Sequence, residues 1–186
     1  MNPSTQDIID GVNMTPSEYV FVLPNNKNIY LVAQQAAKIV KDKKVIVLQT
    51  QSVPQGISAM IAFNPDGELD DNIATMQKAV HDVKSMSVTY AVRDTQLDGH
   101  HISTGQILGL VDGNIACITD TSTDCISELA SKMTGASFIT LFYGENVKSE
   151  SADSAAEIIR SKVGPDTEVS VFSGGQPLYD YIISVE

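Results

Sequence analysis

The stretch Val20-Phe-Val-Leu-Pro-Asn-Asn-Lys-Asn-Ile29 decides how this chain is read. Tyr19 to Leu23 is β-rich and almost wholly apolar, as in a strand covered on both faces. Pro24 stops it. Ile29, Val32, Ala33, Ala36, Ala37 and Val40 then recur at spacings of three and four, which places them on one face of a helix. Asn25 or Asn26 is the expected cap. Free backbone N–H groups at such a helix start, with amide side chains beside them, suit a carboxylate, a phosphate or a partner's carbonyl. The plainer reading is that both asparagines only cap the helix and turn the chain.

Working outward, strand and helix signals alternate. Met1 to Asp10 reads as a loop entering a short helix, with Ser4 or Thr5 as cap. Lys44 to Thr50 is a second buried strand. Pro54-Gln-Gly56 opens a helix carrying Ile57, Met60 and Ile61. Another helix follows from Leu69 with Ile73, Met76 and Val80, its acidic first turn complementing the helix dipole. Such alternation predicts parallel pairing. From Ser87 the period changes to two, with Val88, Tyr90 and Val92 on one covered face. Asp98-Gly99 and Asp112-Gly113 are tight-turn signals, so a β-meander is expected. Thr121-Ser-Thr-Asp caps a helix ended by Gly135, Phe138 to Tyr143 is a strand, and Ser151 to Lys162 is a further helix. Two strands, Glu168 to Phe172 and Tyr179 to Val185, flank Ser173-Gly-Gly-Gln-Pro177. The fold class is therefore α/β, as two lobes. Residues 1–86 form a mainly parallel βαβ lobe and residues 87–186 a lobe with a mixed sheet.

Composition bounds the function. At 186 residues the chain can bury roughly 70% of its unfolded surface. Hydrophobic residues at 42% and charged residues at 19% are ordinary for a globular protein, and no window approaches a membrane span. A net charge of -11 with only 12 basic residues argues against nucleic acid and favours a partner with a basic face. Cys117 and Cys125 lack CxxC spacing, and His100 and His101 would point to opposite faces of a strand, so no zinc site is read. With no signal peptide recognised, a reducing cytoplasm is expected.

Candidates for chemistry are few. Gly174, Gly175 and Gln176 lie between strands, where glycines supply turn geometry or let a ligand approach the backbone. Neither a GxGxxG nor a GxxxxGK pattern occurs, so ATP binding is not expected. No serine sits in a GxSxG elbow and no cysteine is placed as a nucleophile. Arg93 could hold an anion, though an exposed pair with Asp94 is the commoner arrangement. Asp70, Asp71, Asp98 and Asp112 are read as solvent-facing, and His81 as complementing a helix C-terminus.

Met1-Asn-Pro-Ser-Thr5, Phe21-Val-Leu-Pro-Asn-Asn-Lys-Asn-Ile29, Val53-Pro-Gln-Gly-Ile57, Val88-Thr-Tyr-Ala-Val-Arg-Asp94, Gly174-Gly-Gln-Pro177 and Ile182-Ile-Ser-Val-Glu186 carry a resemblance across the whole chain. They resemble the C-terminal region of the large subunit of bacterial fatty acid kinase, the dihydroxyacetone-kinase-like or Dak phosphatase family. The resemblance implies a fragment, with Met1 standing at an internal position of the longer protein. It also implies a division of labour. A separate acyl-carrying subunit holds the fatty acid, and the kinase forms acyl phosphate from ATP. The ATP and magnesium residues belong to an N-terminal domain absent from this chain. This region would then be noncatalytic, hold no cofactor, dock the acyl carrier, and belong to a protein that could form a homodimer.

A fainter similarity is to the DegV family of fatty-acid-binding carriers. Asn2-Pro-Ser-Thr resembles their Thr-Ser-Gln-Pro-Ser loop, and Leu23-Pro-Asn-Asn their Ser-x-x-Ser-Gly-Thr turn, loops that grip a fatty acid carboxylate. Asn25 and Asn26 stand where the carriers have hydroxyl residues. The alternative function is accordingly binding of a fatty acid or other carboxylate by this chain itself. Loops at strand ends of such a fold would gather Asn2, Ser4, Thr5, Asn25, Asn26, Gln55 and Gly56, with Gly174 to Gln176 opposite.

Overall fold

The computed structural model describes residues 2–97 and 100–186. The chain divides into two compact units, Met1–Val83 and Lys84–Glu186.

In the first unit the order is α1 (Thr5–Met14), β1 (Tyr19–Val22), α2 (Lys27–Ile39), β2 (Lys44–Val47), α3 (Val53–Ile61) and α4 (Leu69–Asp82). β1 and β2 pair in parallel, Tyr19 opposite Lys44 and Val22 opposite Val47. Because side chains alternate across a strand, the pair feeds two cores. Val20, Val22 and Val45 pack with Val12 and Val40. Phe21 and Ile46 pack with Leu48, Ala59, Met76 and Val80. The strands are thus covered on both faces, as their continuous apolar run predicts, although Tyr19 is exposed. α1 has no basic residue in its last turn. Lys43, just before β2, supplies the missing cation: its Nζ donates to the carbonyls of Val12 (3.0 Å), Asn13 (3.2 Å) and Thr15.

The second unit holds β3 (Lys84–Tyr90), β4 (Thr95–Leu97), β5 (His100–Ile102), β6 (Ile107–Val111), β7 (Asn114–Thr119), α5 (Ser122–Ala130), β8 (Phe138–Tyr143), α6 (Ser149–Val163), β9 (Glu168–Ser173) and β10 (Tyr179–Val185). Six strands form one sheet in the order β7-β6-β3-β10-β8-β9. β8 and β9 are parallel, joined through α6, and the other pairs are antiparallel. The β3-β6-β7 meander turns at Asp112 (φ 49) and Gly113 (φ 81), the positive angles that a two-residue hairpin demands. The Asp98-Gly99 turn lies outside the described residues. Ile126, Leu129 and Met133 from the α5 segment and Ala155, Ala156 and Ile159 of α6 pack against Met86, Val88, Leu141 and Ile183 of the sheet. Cys117 and Cys125 are free, buried thiols with their sulfurs 3.7 Å apart. Burial pushes both thiol pKa values up and keeps them protonated.

Three sequence expectations are corrected. Val88 is fully buried, but Tyr90 and Val92 are exposed and Ala91 is buried instead. Ala91 is held by Gln106 O and Gly105 N, after which the chain leaves the sheet for the β4-β5 hairpin, so the alternation loses its phase. The helix predicted to end at Gly135 stops at Ala130, and Gly135 (φ 85) serves the turn that follows. β9 and β10 are not neighbours across a turn, because β8 lies between them. The 174–178 segment is therefore a crossover past the end of β8.

Candidate functional site

Parallel pairing brings the loops after β1 and β2 to one edge of the first unit. There Asn25 adopts φ 54, a left-handed conformation that asparagine tolerates better than most residues. Its N–H donates to Thr50 Oγ1 at 3.0 Å, and Thr50 is completely buried. Its side chain lies against Gly56, where an added Cβ would sit 2.2 Å from Asn25 Oδ1. Gly56 is a glycine for want of room. Asn25 and Gly56 touch, and Asn26 and Gln55 adjoin that contact in sequence, so the four share this edge.

Most candidate polar groups here are engaged by the chain itself. Asn26 is the N-cap of α2, its Oδ1 accepting from Asn28 N at 2.8 Å. Gln55 Oε1 accepts from Gln51 N at 2.7 Å, while Ser52 caps α3. Ser4 closes a capping box with Asp7: its N–H and hydroxyl each donate to Asp7 Oδ2 at 2.7 Å. Those two bonds hold the Asp7 pKa below the ordinary aspartate value. Thr5 is the first residue of α1 and Asn2 precedes it, exposed. Asn25 Oδ1 is the exception, buried with no hydrogen-bond partner.

The remaining candidates belong to the second unit. Gln176 Nε2 donates to Phe142 O at 2.9 Å, and Gln176 O accepts from Glu145 N at 3.1 Å. Gly174 N and Gly175 N both donate to Tyr143 O. These contacts strap the crossover to the end of β8. Arg93 is exposed and does not form the pair with Asp94 that adjacency in sequence predicts. Asp94 Oδ1 instead accepts from Thr104 N and Oγ1, both at 2.7 Å, because the chain returning from β5 brings those donors closer; they lower its pKa.

Each unit also has a concavity. In the first, Phe21, Leu23, Met60, Phe63 and Met76 line an apolar cleft of about 210 Å³. In the second, a cavity of about 650 Å³ lies between the first turns of α5 and α6, with Ile126, Val147 and Ile158 beside Ser122, Lys148, Ser151, Asp180 and Tyr181. Ser122 Oγ donates to Asp180 Oδ2 at 3.0 Å, and burial raises the Tyr181 pKa. Among the described residues no cluster of His, Cys, Asp and Glu could hold a metal ion, and no helix is long and apolar enough to cross a membrane.

Sequence reasoning missed Thr50 and both concavities. Only the cleft had a local signal, in the large residues Phe21, Leu23, Met60 and Phe63 at strand and helix ends. We expect Thr50→Val, which keeps shape but removes the acceptor, to lose about 1–3 kcal/mol by leaving the Asn25 N–H unpaired. Thr50→Ser should lose less. Equal stability of Thr50→Val and wild type in urea unfolding would refute the role given to this bond.

Comparison with known proteins places this architecture. Protein YloV of Bacillus subtilis (strain 168) is 42% identical over 188 residues, covering 100% of this chain and 34% of the relative. An uncharacterized protein of Staphylococcus aureus (strain USA300) is 39% identical with the same coverage. The chain thus spans about a third of the length of these curated relatives. Among solved structures, a Thermotoga maritima protein described as revealing a fatty acid binding function superposes with a TM-score of 0.71 at 14% identity, over 100% of this chain and 76% of that one. A DegV family protein from Corynebacterium glutamicum gives 0.69 at 16% identity, over 99% and 80%. The dihydroxyacetone kinase of C. freundii gives 0.62 at 10%, over 98% and 41%. The fold is that α/β arrangement, with a small parallel sheet and a six-stranded mixed sheet. A family model matches residues 1–186 from end to end, and the chain belongs to the FakA-like C-terminal family of fatty acid kinase subunits.

Proposed function

We propose that this chain is the noncatalytic C-terminal module of a cytoplasmic fatty acid kinase and docks the subunit that carries the fatty acid. A kinase domain outside this chain would then use ATP and magnesium to form the acyl phosphate, and this module would hold neither. The carrying observation is that the side chains at the strand-end loops are spent internally. Ser4, Asn26 and Gln55 are bonded to the chain's own backbone or to Asp7. A carboxylate-gripping site needs such donors free. The apolar cleft of about 210 Å³ is also smaller than the ~300 Å³ at which ligand pockets begin.

The second reading, a domain that binds a fatty acid or other carboxylate itself, is favoured by the cavity of about 650 Å³ in the second unit. Its size suffices. Its walls suit an acyl chain poorly, since Asp180, Lys148, Ser151 and Ser154 stand where methylenes would lie.

Calorimetric titration separates the two. The chain is expected to give saturable heat with the fatty-acid-binding subunit, loaded or unloaded, and none with free oleate. Heat with oleate alone would overturn the docking function and make this a ligand-binding domain.

A further inference from the structure

α3 is built inside out. Its small residues Pro54, Gly56, Ser58 and Ala59 are buried, and Ala59 joins Met76 and Val80 of α4 in the core. The large ones face away: Val53 is 45% exposed, Met60 64% and Ile61 80%, with Phe63 just beyond the helix at 41%. Burying small residues lets α3 lie close to α4 and to Asn25, but an apolar ridge is left on the outside. The ridge ends in the cleft bounded by Phe21, Leu23, Met60, Phe63 and Met76. At about 210 Å³ that cleft fits one or two anchoring side chains.

Charge selects the occupant. No lysine or arginine occurs from residue 45 to residue 77, whereas Asp66, Glu68, Asp70 and Asp71 follow the ridge directly, all of them exposed. A second copy of this chain would set that acidic rim against itself, and an anionic membrane or a free fatty acid would be repelled by it. What complements the surface is a protein with an apolar anchor inside a rim of lysine or arginine.

We propose that the outward face of α3 and its cleft are the docking surface for the fatty-acid-binding subunit, which inserts an apolar side chain into the cleft and sets basic residues against Asp66 to Asp71. This rests on the docking function proposed above. Ile61 and Met60 point into solvent, so glutamate at either position should leave the fold intact, which thermal unfolding checks.

The test is titration of the fatty-acid-binding subunit into the wild-type chain and into Ile61→Glu, Met60→Glu, Asp66→Lys and Leu178→Glu. Leu178 is the control, an apolar residue of the second unit that is 61% exposed. Ile61→Glu and Met60→Glu are expected to weaken binding by about 30-fold or more. Asp66→Lys should slow association, and Leu178→Glu should bind as wild type does. If wild type binds and the α3 variants bind equally well, the surface assigned here is wrong while the docking function stands. If wild type does not bind, the docking function fails and this surface with it. Sedimentation adds one further outcome: self-association of wild type that Ile61→Glu abolishes would make the occupant a second copy and overturn the partner named here.

Discussion

Replacing Gly144 by alanine is expected to remove about 3 kcal/mol of stability, the upper end of what an extra methyl costs in a filled site. Gly144 directly follows β8, at the place where the crossover from β9 passes on its way to β10. A Cβ there would stand 2.3 Å from Tyr179 O and 2.8 Å from Gln176 O. Neither obstacle can swing aside as a side-chain tip would. Gln176 O is bonded to Glu145 N at 3.1 Å, and the neighbouring Leu178 O accepts from Thr89 Oγ1 at 2.7 Å. Moving them displaces the start of β10, which sits between β3 and β8. For a chain of this size the loss corresponds to a fall in Tm of roughly 6–12 °C. The chain has no tryptophan, so circular dichroism during urea unfolding is the suitable readout. Gly174→Ala is the contrast: its Cβ meets chiefly the Gln176 side-chain tip, at 2.0 Å, which can rotate away. A Gly144→Ala protein as stable as Gly174→Ala would show that the crossover is not held as described.

Gly109→Ala should be the second severe change, and it should be partly reversible by a second mutation. Gly109 pairs with Cys117 across β6 and β7 at a bulge, and its Cα faces α5. A Cβ would lie 2.4 Å from Cys117 Sγ, 2.8 Å from Cys125 Sγ and 3.3 Å from Leu129. Both sulfurs are fixed in the core, with Cys125 fully buried. The expected loss is about 2–3 kcal/mol. Cys117→Ala alone leaves a small void and costs about 1 kcal/mol. Combined, the two changes should cost less than their sum by at least about 1 kcal/mol, because the new methyl occupies the space the sulfur vacates. Strict additivity would mean that glycine is required at 109 by the bulge's backbone geometry and not by the thiols.

These two glycines mark the limit of what local sequence can say. The caps at Ser4, Asn26, Ser52 and Thr121 were legible or nearly so, since a short polar side chain ahead of an apolar periodic run has one strong local use. The strand cores of β1, β2, β8 and β10 and the Asp112-Gly113 turn were equally plain. By contrast, nothing near Gly144 announces that a segment more than thirty residues later will cross it, and nothing near Gly109 names Cys125 as its neighbour. The pairing of Asp94 with Thr104 in place of Arg93 has the same cause: the winning donor arrives from a later strand.

The candidate site divides along the same line. Sequence alone determined the alternating α/β elements, the helix-opening loops at Asn25–Asn26 and Gln55–Gly56, and the acidic balance that excludes nucleic acid, because these depend on periodicity, capping and charge within a few residues or on composition. Tertiary structure alone decided that Asn25 is locked against Gly56 and Thr50, that the loop donors are spent internally, that β8 separates β9 from β10, and that α3 turns its large residues outward. Each of those follows from which distant backbone arrives at a given point and how much room it leaves, a quantity that packing sets and no local pattern encodes.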